Sequence, residues 1–132
     1  MSNRFLLFSD IHIHPHKRST ERLEDCLRTL EWVFQTAIDN NITNILFGGD
    51  LFHDRQKIDV LTYQKTFNIF EKFFNNQSSL EIHLLLGNPD LWHFERWDIS
   101  SVNPLKSLPG VHVVDRPCDL RIFDTMVGFL PY

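Results

Sequence analysis

Cysteine is scarce in this 132-residue chain. Cys26 and Cys118 are too few for a disulfide scaffold, and neither belongs to a C-x-x-C pair. A reducing, cytoplasmic setting is therefore expected. Long hydrophobic runs are missing as well. No apolar stretch approaches the ~18 residues of a spanning helix, and the opening Met1-Ser2-Asn3-Arg4-Phe5 lacks a signal-peptide layout, so no membrane association is expected. There is no excess of basic charge. The 13 Lys and Arg against 17 Asp and Glu leave a net charge of −4, which excludes whole-surface attraction to nucleic acid but permits a local basic patch beside an acidic cleft. Internal repeats, low-complexity tracts and breaks in composition are absent too, so 1–132 reads as one domain. What is present is a core: 42% of the residues are hydrophobic and 13% aromatic, 12 of them Phe, which excludes a disordered chain.

The apolar residues alternate between two kinds of pattern. Phe5-Leu6-Leu7-Phe8 is a short run ending in Ser9-Asp10, which suits a strand buried on both faces. Leu23, Cys26, Leu27, Leu30, Val33, Phe34, Ala37 and Ile38 then recur at helical spacing, with Ser19 or Thr20 as cap and Asn40-Asn41 as terminator. Ile45-Leu46-Phe47 is a second buried strand running into Gly48-Gly49-Asp50. Val60, Tyr63, Phe67, Phe70 and Phe74 repeat the helical spacing behind the cap Asp59. Ile82 to Leu86 forms a third strand ending in Gly87-Asn88. The order β-α-β-α-β implies an α/β fold with parallel strands. From Leu91 to Pro109 no pattern stands out. A short strand at Val111 to Val114 and a hairpin of Leu120–Phe123 with Met126–Phe129 are expected beyond it.

Each of the three strands ends in polar groups: Asp10-Ile11-His12, Gly49-Asp50 and Gly87-Asn88. Ligands of open α/β sheets bind outside the carboxyl ends of the strands, so these groups should converge. Two carboxylates, an imidazole and an amide oxygen suit Mn²⁺, Fe²⁺ or Zn²⁺. On an extended backbone, side chains two apart project to one side, so Asp10 and His12 should reach a common ion. Gly48, Gly49 and Gly87 would let the backbone come close to it. An Asp after a strand is ordinarily a helix cap, and a lone D-x-H is common by chance. Three strand-end motifs in this order are not.

These motifs resemble the calcineurin-like metallophosphoesterase superfamily, whose pattern is DxH, GD, GNH[DE] and two later His-bearing motifs. Gly48-Gly49-Asp50-Leu51-Phe52-His53 is similar in particular to the SbcD-type DNA-repair exonucleases and their phage relatives. The resemblance covers essentially the whole chain but only the amino-terminal half of the family domain, a four-layer α/β/β/α sandwich, so the chain is expected to be a truncated domain. It implies two divalent ions, Mn²⁺ first among Mg²⁺, Fe²⁺ and Zn²⁺. Asp10 and His12 would hold the first ion, Asp50 would bridge both, and Asn88 would hold the second, with Asp90 supporting the ligands from behind. It also implies a catalytic role for His53 near the scissile phosphate, a phosphate contact for Arg55, DNA as substrate, an SbcC-type ATPase as partner, and a homodimer.

Two departures stand out. The GNH[DE] motif reads Gly87-Asn88-Pro89-Asp90, which puts a proline where the family has an imidazole, and the later His motifs are missing. Proline has no ionisable group and no backbone N–H, and it restricts the residue before it. A non-catalytic metal- or nucleic-acid-binding module, or a scaffolding subunit, is therefore the alternative to a nuclease. Of the remaining histidines, His14 and His16 read either as ligand-supporting or nucleic-acid contacts or as a solvated loop. His93 is a candidate substitute for the missing imidazole, and His83 reads as a packed strand residue.

Overall fold

The computed structural model describes residues 3–16, 19–54, 56–87 and 90–131. Strand β1 (Phe5–Phe8), helix α1 (Thr20–Asp39), β2 (Asn44–Phe47), α2 (Val60–Phe73) and β3 (Glu81–Leu85) follow one another as the periodicity predicts. After them come β4 (Leu91–His93), β5 (Arg96–Ser100), a 3-10 helix (Asn103–Ser107), β6 (Val111–Val114), β7 (Cys118–Ile122) and β8 (Thr125–Phe129). Strands β1-β2-β3-β6 form a parallel sheet in that order, in which Leu7 lies beside Leu46, Leu46 beside His83 and His83 beside His112. The weak strand signal at Val111 is thus the fourth parallel strand. β4–β5 and β7–β8 are antiparallel hairpins. Among the described residues no helix is long and apolar enough to cross a membrane.

Local chemistry accounts for the helix ends. Ser19, not Thr20, caps α1: its hydroxyl accepts from Arg22 N–H at 3.3 Å. At the other end the Asn40 side-chain amide donates to Thr36 O at 2.8 Å, and Asn41 turns the chain through φ 56°. Asp59 caps α2 with both oxygens, accepting from Thr62 N–H at 2.9 Å and Thr62 Oγ1 at 2.6 Å. The expected face of α2 turns inward except at its first residue: Phe70 and Phe74 are buried and Tyr63 and Phe67 pack against the core. Val60 is 81% exposed, while Thr62, Thr66, Ile69, Phe70 and Phe73 are buried. Thr66 can be buried because its hydroxyl donates to Thr62 O at 2.8 Å, a satisfaction that hydrophobic counting does not register.

Both helices cover one face of the sheet. There Phe34 sits edge-on to Phe70, Phe73 and Phe74 with ring centres 5.2, 5.4 and 4.9 Å away. Ile45, Phe47, Ile82, Leu84 and Val111 join them from the sheet. The opposite face carries the alternate residues, and β7–β8 lies over part of it: Ile122 and Phe129 pack with Val114, Phe5, Leu46 and Leu85. The cover is incomplete. Leu7 is 73% exposed, so β1 is not buried on both faces as its apolar run suggested. β5 has no buried residue, which is why its stretch shows no readable alternation.

Candidate metal centre

The loops after β1 and β2 run on together beyond the sheet. Gly48 N–H donates to Phe8 O at 2.9 Å, Asp10 N–H to Gly49 O at 3.0 Å, His12 N–H to Asp50 O at 3.1 Å and Ile13 N–H to Leu51 O at 2.8 Å. This zip carries the polar residues out of regular strand geometry. Asp10, His12 and Asp50 all adopt left-handed backbone, with φ of 60°, 49° and 63°. The expectation of an extended Asp10-Ile11-His12 is therefore corrected. The two side chains meet because of left-handed turns, not because of a pleat. Such residues cost about 1–3 kcal/mol each and persist where neighbouring bonds over-determine them, which the zip does.

The three side chains converge. His12 Nε2 lies 3.4 Å from Asp10 Oδ1 and 3.8 Å from Asp50 Oδ2. Among the described residues they are the one His, Cys, Asp or Glu group offering a ligand atom apiece within 4.8 Å of one another. Asp10 is held by the Ser9 hydroxyl, which donates to its Oδ2 at 2.5 Å; that bond chiefly keeps its carboxyl below the usual range. Asp50 is pushed the other way, first by burial and then by the hydrogen bond and charge of Asp10. Two carboxylates this close cannot both ionise cheaply unless a cation lies between them. Asp50 Oδ1 and His12 Nδ1 are moreover buried without a hydrogen-bond partner. A buried carboxylate oxygen without a donor, beside a second carboxylate and an imidazole, fits a divalent ion of the Mn²⁺–Zn²⁺ range.

Two of the glycines allow the loops to pack closely. Gly49, at φ 107°, sits so close to the β3 loop that a Cβ there would lie 2.7 Å from Gly87 N. A Cβ on Gly87 would lie 2.1 Å from Asp50 Oδ1. These two positions bring loop against loop and clear room for the Asp50 carboxylate.

Asp90, expected only as a support behind the ligands, proves to be a clamp. It is fully buried. Its Oδ2 accepts from both Asp50 N–H and Gly87 N–H at 2.8 Å, and its Oδ1 from Leu51 N–H at 3.1 Å. Its own carbonyl accepts from Ser101 N–H at 2.8 Å. One side chain thus ties the ends of β2 and β3 together. Burial pushes its carboxyl up to about 6, against the pull of the three backbone donors.

The His53 ring centre lies 5.7 Å from that of His12. His93 sits at the β4–β5 turn, stacked on Phe94 at 4.5 Å, with Nδ1 accepting from Glu95 N–H at 3.3 Å. His83 is buried under β7–β8, beside His112 and Phe129, as a packed strand histidine should be. Asn88, Pro89 and Arg55 lie outside the described residues.

A family model described as calcineurin-like phosphoesterase matches residues 3–128. The double-strand break repair protein MRE11 of Coprinopsis cinerea is 30% identical over 87 residues, which are 66% of this chain and 12% of that protein. The double-strand break repair protein mus-23 of Neurospora crassa is 26% identical over 116 residues, 83% of this chain and 16% of that protein. The chain spans well under a fifth of the length of either relative.

Proposed function

The chain belongs to the calcineurin-like phosphoesterase family, and from that premise we propose that it carries the metal-holding half of a two-metal phosphodiesterase acting on DNA. The observation that carries this reading is the convergence of Asp10, His12 and Asp50, the last of which also carries a buried oxygen without a hydrogen-bond partner. In it, Asp10 and His12 would hold the first ion, Asp50 would serve both ions, and Asn88 would hold the second. Divalent ions, with Mn²⁺ first, supply an activated water and neutralise charge developing on the phosphate oxygens. Ser9 orients the Asp10 carboxylate, and Asp90 fixes the two loops so that Asp50 needs no rearrangement. His53 stands beside His12 on the exposed side, where it would lie near the scissile phosphate, and the imidazole that would protonate the leaving oxygen is missing at Pro89. Arg55 contacts a substrate phosphate. DNA as substrate is supported by the names of the relatives, both double-strand break repair proteins. An SbcC-type ATPase partner and a homodimer belong to the same proposal through the SbcD resemblance.

Pro89 favours a second reading, in which the centre binds metal or nucleic acid without turnover. Two measurements test the pair. Calorimetric titration of the metal-free chain with Mn²⁺ should give binding that Asp50→Ala abolishes; no heat, or heat unchanged by that substitution, overturns the site. Hydrolysis of bis-p-nitrophenyl phosphate, whose leaving group needs little protonation, should then be slow, Mn²⁺-dependent and lost in Asp50→Ala. Metal binding without any turnover selects the binding module.

A further inference from the structure

Beside the carboxylate centre three more imidazoles face one another. The ring centres of His14 and His16 are 4.9 Å apart, those of His14 and His53 5.1 Å, and those of His16 and His53 5.2 Å. We propose that His14, His16 and His53 form a separate, all-imidazole site for a transition-metal ion of the Zn²⁺ class. It does not depend on a metal at Asp10, His12 and Asp50.

The spacing is the first argument. Three imidazoles bound to one tetrahedral ion through nitrogens at about 2.0–2.1 Å have ring centres about 5.2 Å apart. The observed triangle already has that size. Its nitrogens do not yet converge, but turning a ring about its Cβ–Cγ bond changes which nitrogen faces inward and leaves the ring centre in place. His53 is exposed and His16 only half-buried, so both rings have room to turn and the outer side of the triangle stays open for a fourth ligand.

The second argument is the state of His14. Its Nε2 lies 2.9 Å from Asp54 Oδ2, so that nitrogen carries the proton and donates it. In the neutral ring that a metal ligand requires, the lone pair is then on Nδ1, which is buried and without a partner. A carboxylate on one imidazole nitrogen and a metal on the other is the recurrent way of orienting a histidine ligand. The backbone holding the trio is tied down as well. Ser19 N–H donates to His16 O at 3.1 Å, and His53 N–H to Ile13 O at 3.3 Å.

The donor set decides which ion. Neutral imidazoles suit Zn²⁺, Ni²⁺ or Cu²⁺, whereas Mn²⁺ and Mg²⁺ favour carboxylate oxygen. The all-imidazole site therefore discriminates against Mn²⁺ and Mg²⁺, which the carboxylate centre accepts. While the trio is empty His53 remains free for the phosphodiester, and an ion there engages it.

The test titrates Zn²⁺ alone into the Asp10→Asn/Asp50→Asn chain, with Mn²⁺ as control, by calorimetry at neutral pH after circular dichroism has checked folding. One Zn²⁺ per chain should bind and Mn²⁺ should not. Adding His14→Gln and His16→Gln should abolish the event, and Asp54→Asn should weaken it by about 10- to 100-fold. If the background variant fails to fold, Co²⁺ added to the otherwise unaltered chain replaces it: tetrahedral ligand-field bands should appear, vanish with His16→Gln and survive Asp50→Asn. No Zn²⁺ or Co²⁺ binding, or binding indifferent to His14 and His16, overturns the proposal. Loss of Mn²⁺ binding in Asp50→Ala is read separately and concerns only the carboxylate centre.

Discussion

Asp90 shows how much one side chain can decide. Its carboxylate accepts three backbone N–H groups from two different loops, and the bonds from Leu51 and Gly87 are buried. A buried donor left without an acceptor costs about 1–3 kcal/mol, so Asp90→Ala should lower unfolding stability by about 2–4 kcal/mol once partial relaxation is allowed. Urea denaturation measures it, and a loss under 1 kcal/mol would contradict the clamp. Pro89 belongs to the same scale. A placed imidazole is worth ~10²–10⁴-fold in rate. Pro89→His, in a chain extended through the later His motifs of the family pattern, should therefore raise Mn²⁺-dependent DNA hydrolysis by about that factor. Equal rates for the two versions would assign the proton donor elsewhere, with His53 the first to examine.

At the scale of the element, β3 and the hairpin above it carry a pH dependence. Burial, helped by His112, pushes His83 from the ordinary 6.5 down to about 4. Between those values the unfolded chain takes up a proton that the folded one refuses. Stability from this group is therefore intact above pH 6.5 and falls as the pH drops toward 4. With solvent screening the loss is about 1–2 kcal/mol. Asp90 works in the opposite sense: its carboxyl is raised from 3.8 to about 6, so its contribution is full below pH 3.8 and lost as the pH rises through 6. The two windows overlap and offset each other. His83→Leu should accordingly leave a chain whose stability, followed by urea melts from pH 7 to pH 4, increases on acidification relative to the parent. An unchanged profile would show that His83 protonates freely in the fold.

For the whole molecule the telling feature is the half-covered face of the parallel sheet. Leu7 on β1 is 73% exposed, and Met126 and Leu130 of the hairpin region are exposed as well. Apolar surface of this kind marks contact surfaces. The chain should self-associate at high concentration in light scattering, and Leu7→Glu should shift it toward monomer. A clean monomer at every concentration would count against association through this face.

Period and punctuation were enough to read β1 through β3 with both helices, because each element's apolar spacing is a local property. The same holds for the polar residues at the three strand ends, since a parallel sheet brings those ends to one side wherever they fall in the chain. Asp10, His12 and Asp50 were legible for that reason. Other features depend on atoms far apart in sequence. The left-handed turns at Asp10, His12 and Asp50 are imposed by hydrogen bonds between two loops some 40 residues apart, which no local spacing encodes. The burial of Thr62 and Thr66 on α2, while Val60 is exposed, follows from hydroxyls that find partners locally, Thr62 on the Asp59 cap and Thr66 on the Thr62 carbonyl. The reach of Asp90 and the imidazole triangle of His14, His16 and His53 likewise exist only once the loops after β1, β2 and β3 are packed together. The sequence alone determined that Asp10, His12 and Asp50 would meet; tertiary hydrogen bonding and burial decided how they face one another and what else joins them, because those free energies arise only between segments the fold has made neighbours.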